Sequence, residues 1–215
     1  RLCKQYKALF HSDTVQSVGK TEIDLQKTEV DFIVASAHKF YGPKGIGFAF
    51  IRRNSGLQPL IFGGEQEKGL RAGTEAVHQI AGMAKALYVS YENLEKERNY
   101  ISNLKKYLIE QLEANFPSFR INGKKDDFYN LINITLPFSP DKTSMLLFSL
   151  DMKGIAVSQG SACSSGAAKP SSVLSKILSE ETQQNTTPLR ISFSHKTTKE
   201  EIDALVNALV EILRL

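Results

Sequence analysis

From Glu75 to Phe116 the sequence keeps to a helical period, and this long stretch constrains the fold more than any other feature. Apolar residues recur every three or four positions, at Ile80, Ala84, Leu87 and Tyr91 and then at Ile101, Leu104, Tyr107, Leu108 and Leu112. The spacing predicts two helices, or one long helix with a bend. Its other face, "ENLEKERN" and "KK", carries mixed charges and reads as solvated surface. A connector of this length divides the chain into an N-terminal and a C-terminal part.

Before it stand short apolar runs ended by Gly, Pro or polar residues: "LFHSD" (9–13), "FIVASA" (32–37), "GIGFAFIRR" (45–53) and "PLIFGG" (59–64). They read as buried strands. After it, "NLINITLP" (130–137) alternates like a strand, and "DKTSMLLFSLDMKG" (141–154) predicts a helix with Asp141 as N-cap and Gly154 as its stop. "GIAVS" predicts a short strand, "SSVLSKIL" a helix and "PLRISFS" (188–194) another strand. The close, "TTKEEIDALVNALVEILRL" (197–215), is an amphipathic helix whose Thr197/Glu200 and Thr198/Glu201 spacings both fit a capping box. The expected fold class is α/β: residues 1–94 form a core segment with its connector helix, and 95–215 a smaller α+β domain. Four or so strands with hardly a crossover helix cannot cover both faces of a parallel sheet, so part of a larger domain is expected ahead of Arg1.

Composition excludes several function classes. With 41% hydrophobic and 23% charged residues, the 215-residue chain has the balance of an ordinary globular protein, not of a disordered or membrane one. The net charge of +4 spreads over many Lys–Glu pairs with no arginine cluster among aromatics, so no nucleic-acid partner is expected. No long apolar run or signal peptide points to a membrane, and the expected location is the cytoplasm. Cys3 and Cys163 lack the spacing of a disulfide framework or a zinc site and read as free thiols.

Several polar residues could carry chemistry. In "SAHKFYGPKG" (36–45), Lys39 at a strand end could condense with an aldehyde cofactor while Ser36 touches its phosphate; an isolated loop lysine is more often solvated surface. In "HSDTVQ", Asp13 could hold a pyridine nitrogen protonated and Gln16 could bond a phenolic oxygen, or the two could form a solvated turn. In "GGEQEKGLRAGTE" (63–75), Thr74 could bind phosphate with helix-start amides, or cap the helix. Arg190 suits a substrate carboxylate, or a structural salt bridge. Cys163 in "SQGSACSSG" is either a nucleophile on a loop with few apolar contacts or a small residue in a turn; only Lys169 and a possible helix start nearby would favour its thiolate.

Taken in order, "HSDTVQSVGK", "SAHKFYGPKGIG", "GGEQEKGLRAGTE", "GSACSSG" and "LRISFSHKTTKEEID" resemble the consecutive motifs of the cysteine desulfurases. These form a NifS/IscS-like branch of the class-V aminotransferases, which are fold-type-I pyridoxal-phosphate enzymes. The resemblance implies the latter part of the large cofactor domain followed by a small C-terminal domain. It implies that Lys39 forms the Schiff base with pyridoxal phosphate, with Ser36 and His38 as cofactor-contacting neighbours and Asp13 and Gln16 as partners of the ring nitrogen and phenolic oxygen. By the same resemblance Thr74 reaches the cofactor phosphate of the other subunit of a homodimer, and Arg190 grips the α-carboxylate of L-cysteine. Cys163 receives the sulfur as a persulfide, L-alanine leaves, and the sulfur passes to an acceptor such as an iron-sulfur scaffold. A transient iron-sulfur contact at Cys163 is the one metal role implied.

Two departures from the family pattern stand out, Glu65 where a third glycine is frequent and Ser194–His195 where a glycine-arginine pair is common. The family's phosphate-gripping loop, ring-stacking histidine and substrate-side asparagine do not occur in the sequence. The chain alone is therefore expected to bind the cofactor weakly or not at all, to be inactive by itself, and to form a homodimer or aberrant oligomers. Other readings are a selenocysteine lyase, a cysteine sulfinate desulfinase, or a non-catalytic dimerisation or scaffold-docking fragment.

Overall fold

The computed structural model describes residues 2–124, 128–159 and 171–213. The chain divides into two compact units, Arg1–Glu95 and Lys96–Leu215.

After a short helix α1 (Leu2–Gln5), the first unit is built on a three-stranded sheet in the order β1 (His11–Asp13), β2 (Phe32–Ser36), β3 (Gly47–Ile51). β1 runs parallel to β2, with Asp13 opposite Val34; β3 runs antiparallel, with Gly47 opposite Ser36. Ile33 and Ala35 are buried while their neighbours in β2 are half-buried, the period-two pattern of a strand. A parallel pair needs a long crossover, and residues 14–31 supply it as a series of turns. Thr14 fastens its start, donating both its amide and its hydroxyl to the Val34 carbonyl at 3.1 and 2.8 Å. Arg52 fastens its end by donating to the Val30, Leu25 and Thr28 carbonyls. Val18, Ala35, Ala37 and Phe40 form a small core, on which Met83, Ala86 and Leu87 of α2 (Val77–Glu92) pack.

One expected strand of this unit is absent. "PLIFGG" forms no strand, and Leu60 and Phe62 are 90% and 80% exposed. A strand needs a neighbour for its amides and carbonyls, and no described strand pairs with this run. β1 is also shorter than its apolar run: the Phe10 amide donates to the Asp31 carboxylate at 2.8 Å.

The second unit carries an antiparallel sheet, β4 (Arg120–Ile121), β5 (Leu131–Leu136), β6 (Thr187–Ser192). The predicted helical stretch resolves into α2 and α3 (Leu94–Asn115), parted at Asn93. Leu108 and Leu112 of α3, Ile134 and Leu136 of β5, Leu150 of α4 (Leu146–Asp151), Leu189 of β6 and Leu209 of α7 (Lys199–Leu213) are fully buried in one core. α7 begins with a reciprocal capping box: the Thr198 amide donates to Glu201 Oε2 at 3.0 Å and the Glu201 amide to Thr198 Oγ1 at 3.3 Å. Thr197 serves the preceding turn instead, accepting from the Ser194 amide.

Two details differ from expectation here. Asp141 caps no helix, because α4 starts only at Leu146 behind Met145, which makes no side-chain cap bond. Residues 141–145 form turns held by Thr143, whose hydroxyl bonds the Ser139 and Pro140 carbonyls and the Thr187 hydroxyl. Gly154 does end this stretch, at φ +75°. "GIAVS" makes an isolated bridge at Ser158 rather than a strand, and "SSVLSKIL" yields the short α5 (Leu174–Ile177), followed by α6 (Glu180–Asn185).

Candidate functional site

Because β1 and β2 are parallel, their C-terminal ends lie at one edge of the sheet, the edge where ligands bind in open α/β folds. Asp13 ends β1 and Gln16 follows it; Ser36 ends β2 and leads into a 3-10 turn, Ala37–Phe40, that holds His38 and Lys39. Five of the residues singled out in the sequence thus issue from two adjacent strand ends.

Local bonds set their positions. Asp13 Oδ1 accepts from the Val15 amide at 2.9 Å, turning the chain immediately after the strand. Ser36 Oγ lies 2.9 Å from His38 Nδ1, so hydroxyl and imidazole form one polar pair. Beyond Lys39 the chain reverses through Tyr41 at φ +66°, and the Gly42 amide returns to the Ala37 carbonyl at 2.8 Å. A Cβ at Gly42 would stand 2.9 Å from Ala37 Cβ, so only glycine permits the return. Lys39 is half-buried, and among the described residues its amine has no hydrogen-bond or ion-pair partner.

The sequence reading overlooked Lys20 as a member of this group. Its Nζ donates to Gln16 Oε1 at 3.3 Å. Burial pushes its ammonium below the usual lysine range, and the positive charge of Lys39 pushes it the same way. The available signal was the i, i+4 spacing of Gln16 and Lys20 in "QSVGK".

Thr74 is exposed in the glycine-rich loop and no described hydrogen bond ties it to the Asp13–Lys39 group. It does not cap the following helix: α2 begins at Val77 behind Ala76, with no side-chain cap bond. Arg190 belongs to the second unit, in the middle of β6 opposite Asn133, and exchanges two backbone bonds with Ser158, at 3.1 and 2.7 Å. Among the described residues its guanidinium has no salt-bridge partner, so no structural salt bridge is found there. Cys163, with its nucleophile and iron-sulfur assignments, lies outside the described residues. Among those described, no cluster of three His, Cys, Asp or Glu could hold a metal, and no helix is long and apolar enough to cross a membrane.

The donor set at the strand ends fits pyridoxal phosphate. It offers a free amine for the aldehyde, a carboxylate for the ring nitrogen, a carboxamide for the phenolic oxygen and a hydroxyl for phosphate.

The aminotransferase class-V family matches residues 1–205. The chain is 41% identical over 215 residues to the cysteine desulfurase IscS of Clostridium botulinum, covering 99% of this chain and 54% of that protein. It is 37% identical over 212 residues to a mitochondrial cysteine desulfurase of Arabidopsis thaliana, covering 98% and 46%. The fold superposes on a NifS-like protein from Rickettsia africae with a TM-score of 0.83 at 31% identity, over all of this chain and 56% of that one. The chain thus spans about half the length of the relatives it matches. With a family match over all but its last residues and a shared α/β fold, the chain belongs to the class-V aminotransferases.

Proposed function

We propose that this chain carries the reactive lysine, substrate arginine and sulfur-accepting cysteine of a pyridoxal-phosphate-dependent cysteine desulfurase. The observation that carries the reading is the convergence at one sheet edge of Asp13, Gln16, Ser36 and a Lys39 amine without a partner among the described residues. The names of the relatives, cysteine desulfurases in bacteria and mitochondria, support the same reading.

When bound, the cofactor supplies an electron sink that makes the α-proton of an amino acid removable. Lys39 Nζ would hold the cofactor through its aldehyde and, with substrate bound, would be the base that takes this proton. The Asp13 carboxylate would keep the ring nitrogen protonated, the Gln16 carboxamide would donate to the phenolic oxygen, and Ser36 and His38 would hold the ring and phosphate. Arg190 holds the α-carboxylate of L-cysteine through its two-pronged guanidinium. The Cys163 thiolate attacks the substrate sulfur: an S–S bond forms, the Cβ–S bond breaks with its electron pair left on carbon, and a proton replaces sulfur to give L-alanine. The persulfide then passes to an acceptor protein that builds iron-sulfur clusters, in a homodimer whose Thr74 reaches the neighbouring subunit's phosphate, and in a reducing compartment such as the cytoplasm.

The test is alanine release from L-cysteine by the full-length protein, with mass analysis of Cys163. Lys39→Ala is expected to abolish alanine release, and Cys163→Ala to remove the persulfide. Alanine release that survives Lys39→Ala, or a persulfide that forms elsewhere while Cys163 stays unmodified, would contradict the reading.

A further inference from the structure

We propose that Lys20 is a positioning residue of this site: its ammonium fixes the Gln16 carboxamide with the NH2 group turned outward, and it sets a second positive charge against Lys39. The inference rests on the reading of Lys39 as the amine that takes an aldehyde.

The turn after β1 forces the placement. Residues 14–21 wind in helical turns, with the Val18 amide bonded to the Thr14 carbonyl and the Thr21 amide to the Ser17 carbonyl, both at 2.9 Å. Gly19 follows at φ +74°, and a Cβ there would come within 2.7 Å of Phe40 Cβ. The backbone of this turn therefore lies directly on the 3-10 turn that carries Lys39, and residue 20 emerges beside it.

Ordinary chemistry gives this placement two consequences. A carboxamide whose oxygen accepts from an ammonium keeps only its NH2 group for another partner, so Lys20 selects the Gln16 orientation that can donate to a phenolic oxygen. Two ammonium groups in a half-buried setting repel. Lys39 is the one described titratable group whose charge acts on Lys20. The α2 side chains packed on the Val18, Ala35, Ala37 and Phe40 core, Met83, Ala86 and Leu87, carry no charge, nor does Ser90, which donates to the Phe40 carbonyl; Asp13 Oδ1 is bonded to the Val15 amide, and the His38 ring pairs with Ser36. Condensation requires Lys39 to lose its ammonium proton to solvent. The amine then attacks the carbonyl carbon, a C=N bond forms, and water leaves with the carbonyl oxygen and the two amine hydrogens. Lys20, tied to Gln16, leaves Lys39 as the free amine of the pair.

The experiment has two arms, both on the full-length protein. In the first, lysines of the apoprotein are reductively methylated with 13C-formaldehyde and titrated by NMR, with Lys20→Arg assigning the Lys20 signal. Lys20 is expected to titrate below the bulk lysines and to move upward on Lys39→Met. In the second, pyridoxal phosphate is added, the adduct is trapped with borohydride and the peptides are mapped. Lys20→Met is expected to slow labelling of Lys39 by about threefold to tenfold, with the rate largely restored in Lys20→Arg, as loss of the hydrogen bond that orients Gln16 implies. Absence of label at Lys39 in the unaltered chain would sink the underlying reading, while the first arm still judges the pair. Unchanged labelling in Lys20→Met, together with a Lys20 titration indifferent to Lys39→Met, would overturn the proposal and leave that reading standing.

Discussion

The two three-stranded sheets of this chain divide chemistry from cohesion. Among the described residues, nineteen buried apolar side chains form one cluster around β4–β5–β6; around β1–β2–β3 the corresponding cluster has four. Each buried Leu, Ile, Val or Phe is worth about 1.5–3 kcal/mol, so the second sheet has far more apolar burial to hold it than the first. The first instead ends its parallel strands in a carboxylate, a carboxamide, a hydroxyl and two lysines. A reactive amine must stay unpartnered and within reach of its substrate, which limits how much apolar cover its unit can carry. Arg190 is the exception that links the categories, a polar side chain mounted on the well-packed sheet.

That contrast can be broken or sharpened by substitution. Arg190→Ala is expected to have the largest effect on function, costing about 2–5 kcal/mol in kcat/KM for L-cysteine. Unfolding by denaturant should barely register it, since the guanidinium has no described partner to lose. Leu136→Ala should do the reverse, removing about 2–5 kcal/mol of stability from the second unit through an unfilled cavity. Gly19→Ala should cost about 1–3 kcal/mol in the first unit, from its positive φ and the approach of Phe40, and should also slow labelling of Lys39. A Gly19 variant that destabilises without touching Lys39 reactivity would separate packing from chemistry more sharply than the structure does.

The smallest effect distinguishes the units by sign. Lys20 has its ammonium pushed below the ordinary lysine value, so the folded state binds that proton less well than the unfolded one. The resulting penalty is present at neutral pH and lifts as pH rises from the lowered value to about 10.5, so the first unit gains stability in that window. Tyr107 of the second unit is pushed up, first by its 2.6 Å hydrogen bond to Asp203, then by burial and by the charges of Asp203, Glu200 and Glu110. Its contribution is fully present below about 10 and is lost as pH climbs through the raised value. Denaturant unfolding followed from pH 8.5 upward should show the two units drifting in opposite directions. Lys20→Met should flatten the first trend and Tyr107→Phe the second.

Local rules served well wherever the chain itself decides the outcome. The helical period announced α2 and α3, a short apolar run announced β2 and alternation β5, and Gly154 and the Thr198/Glu201 pair marked helix ends. They failed where a distant partner decides. "PLIFGG" has strand composition but no described neighbour, and the 141–145 turns depend on the Thr143–Thr187 contact across the fold. Of the two readings left open for Thr74, the cap fails because the helix starts only at Val77. The same holds for the candidate site. The placement of Asp13, Gln16, Ser36, His38 and Lys39 at strand ends was legible because they close or follow two apolar runs, "LFHSD" and "FIVASA". Lys20 was not, since one lysine in a turn reads as surface until Gly19 is seen packed against Phe40.

The central claim, that the Lys39 amine is the group built to take an aldehyde, is tested most directly by borohydride trapping in excess pyridoxal phosphate, which captures even a weak adduct. Peptide mapping should find the label on the Lys39 peptide, and Lys39→Ala should remove it. Label concentrated on Lys20 or spread over surface lysines, unchanged by Lys39→Ala, would contradict the account.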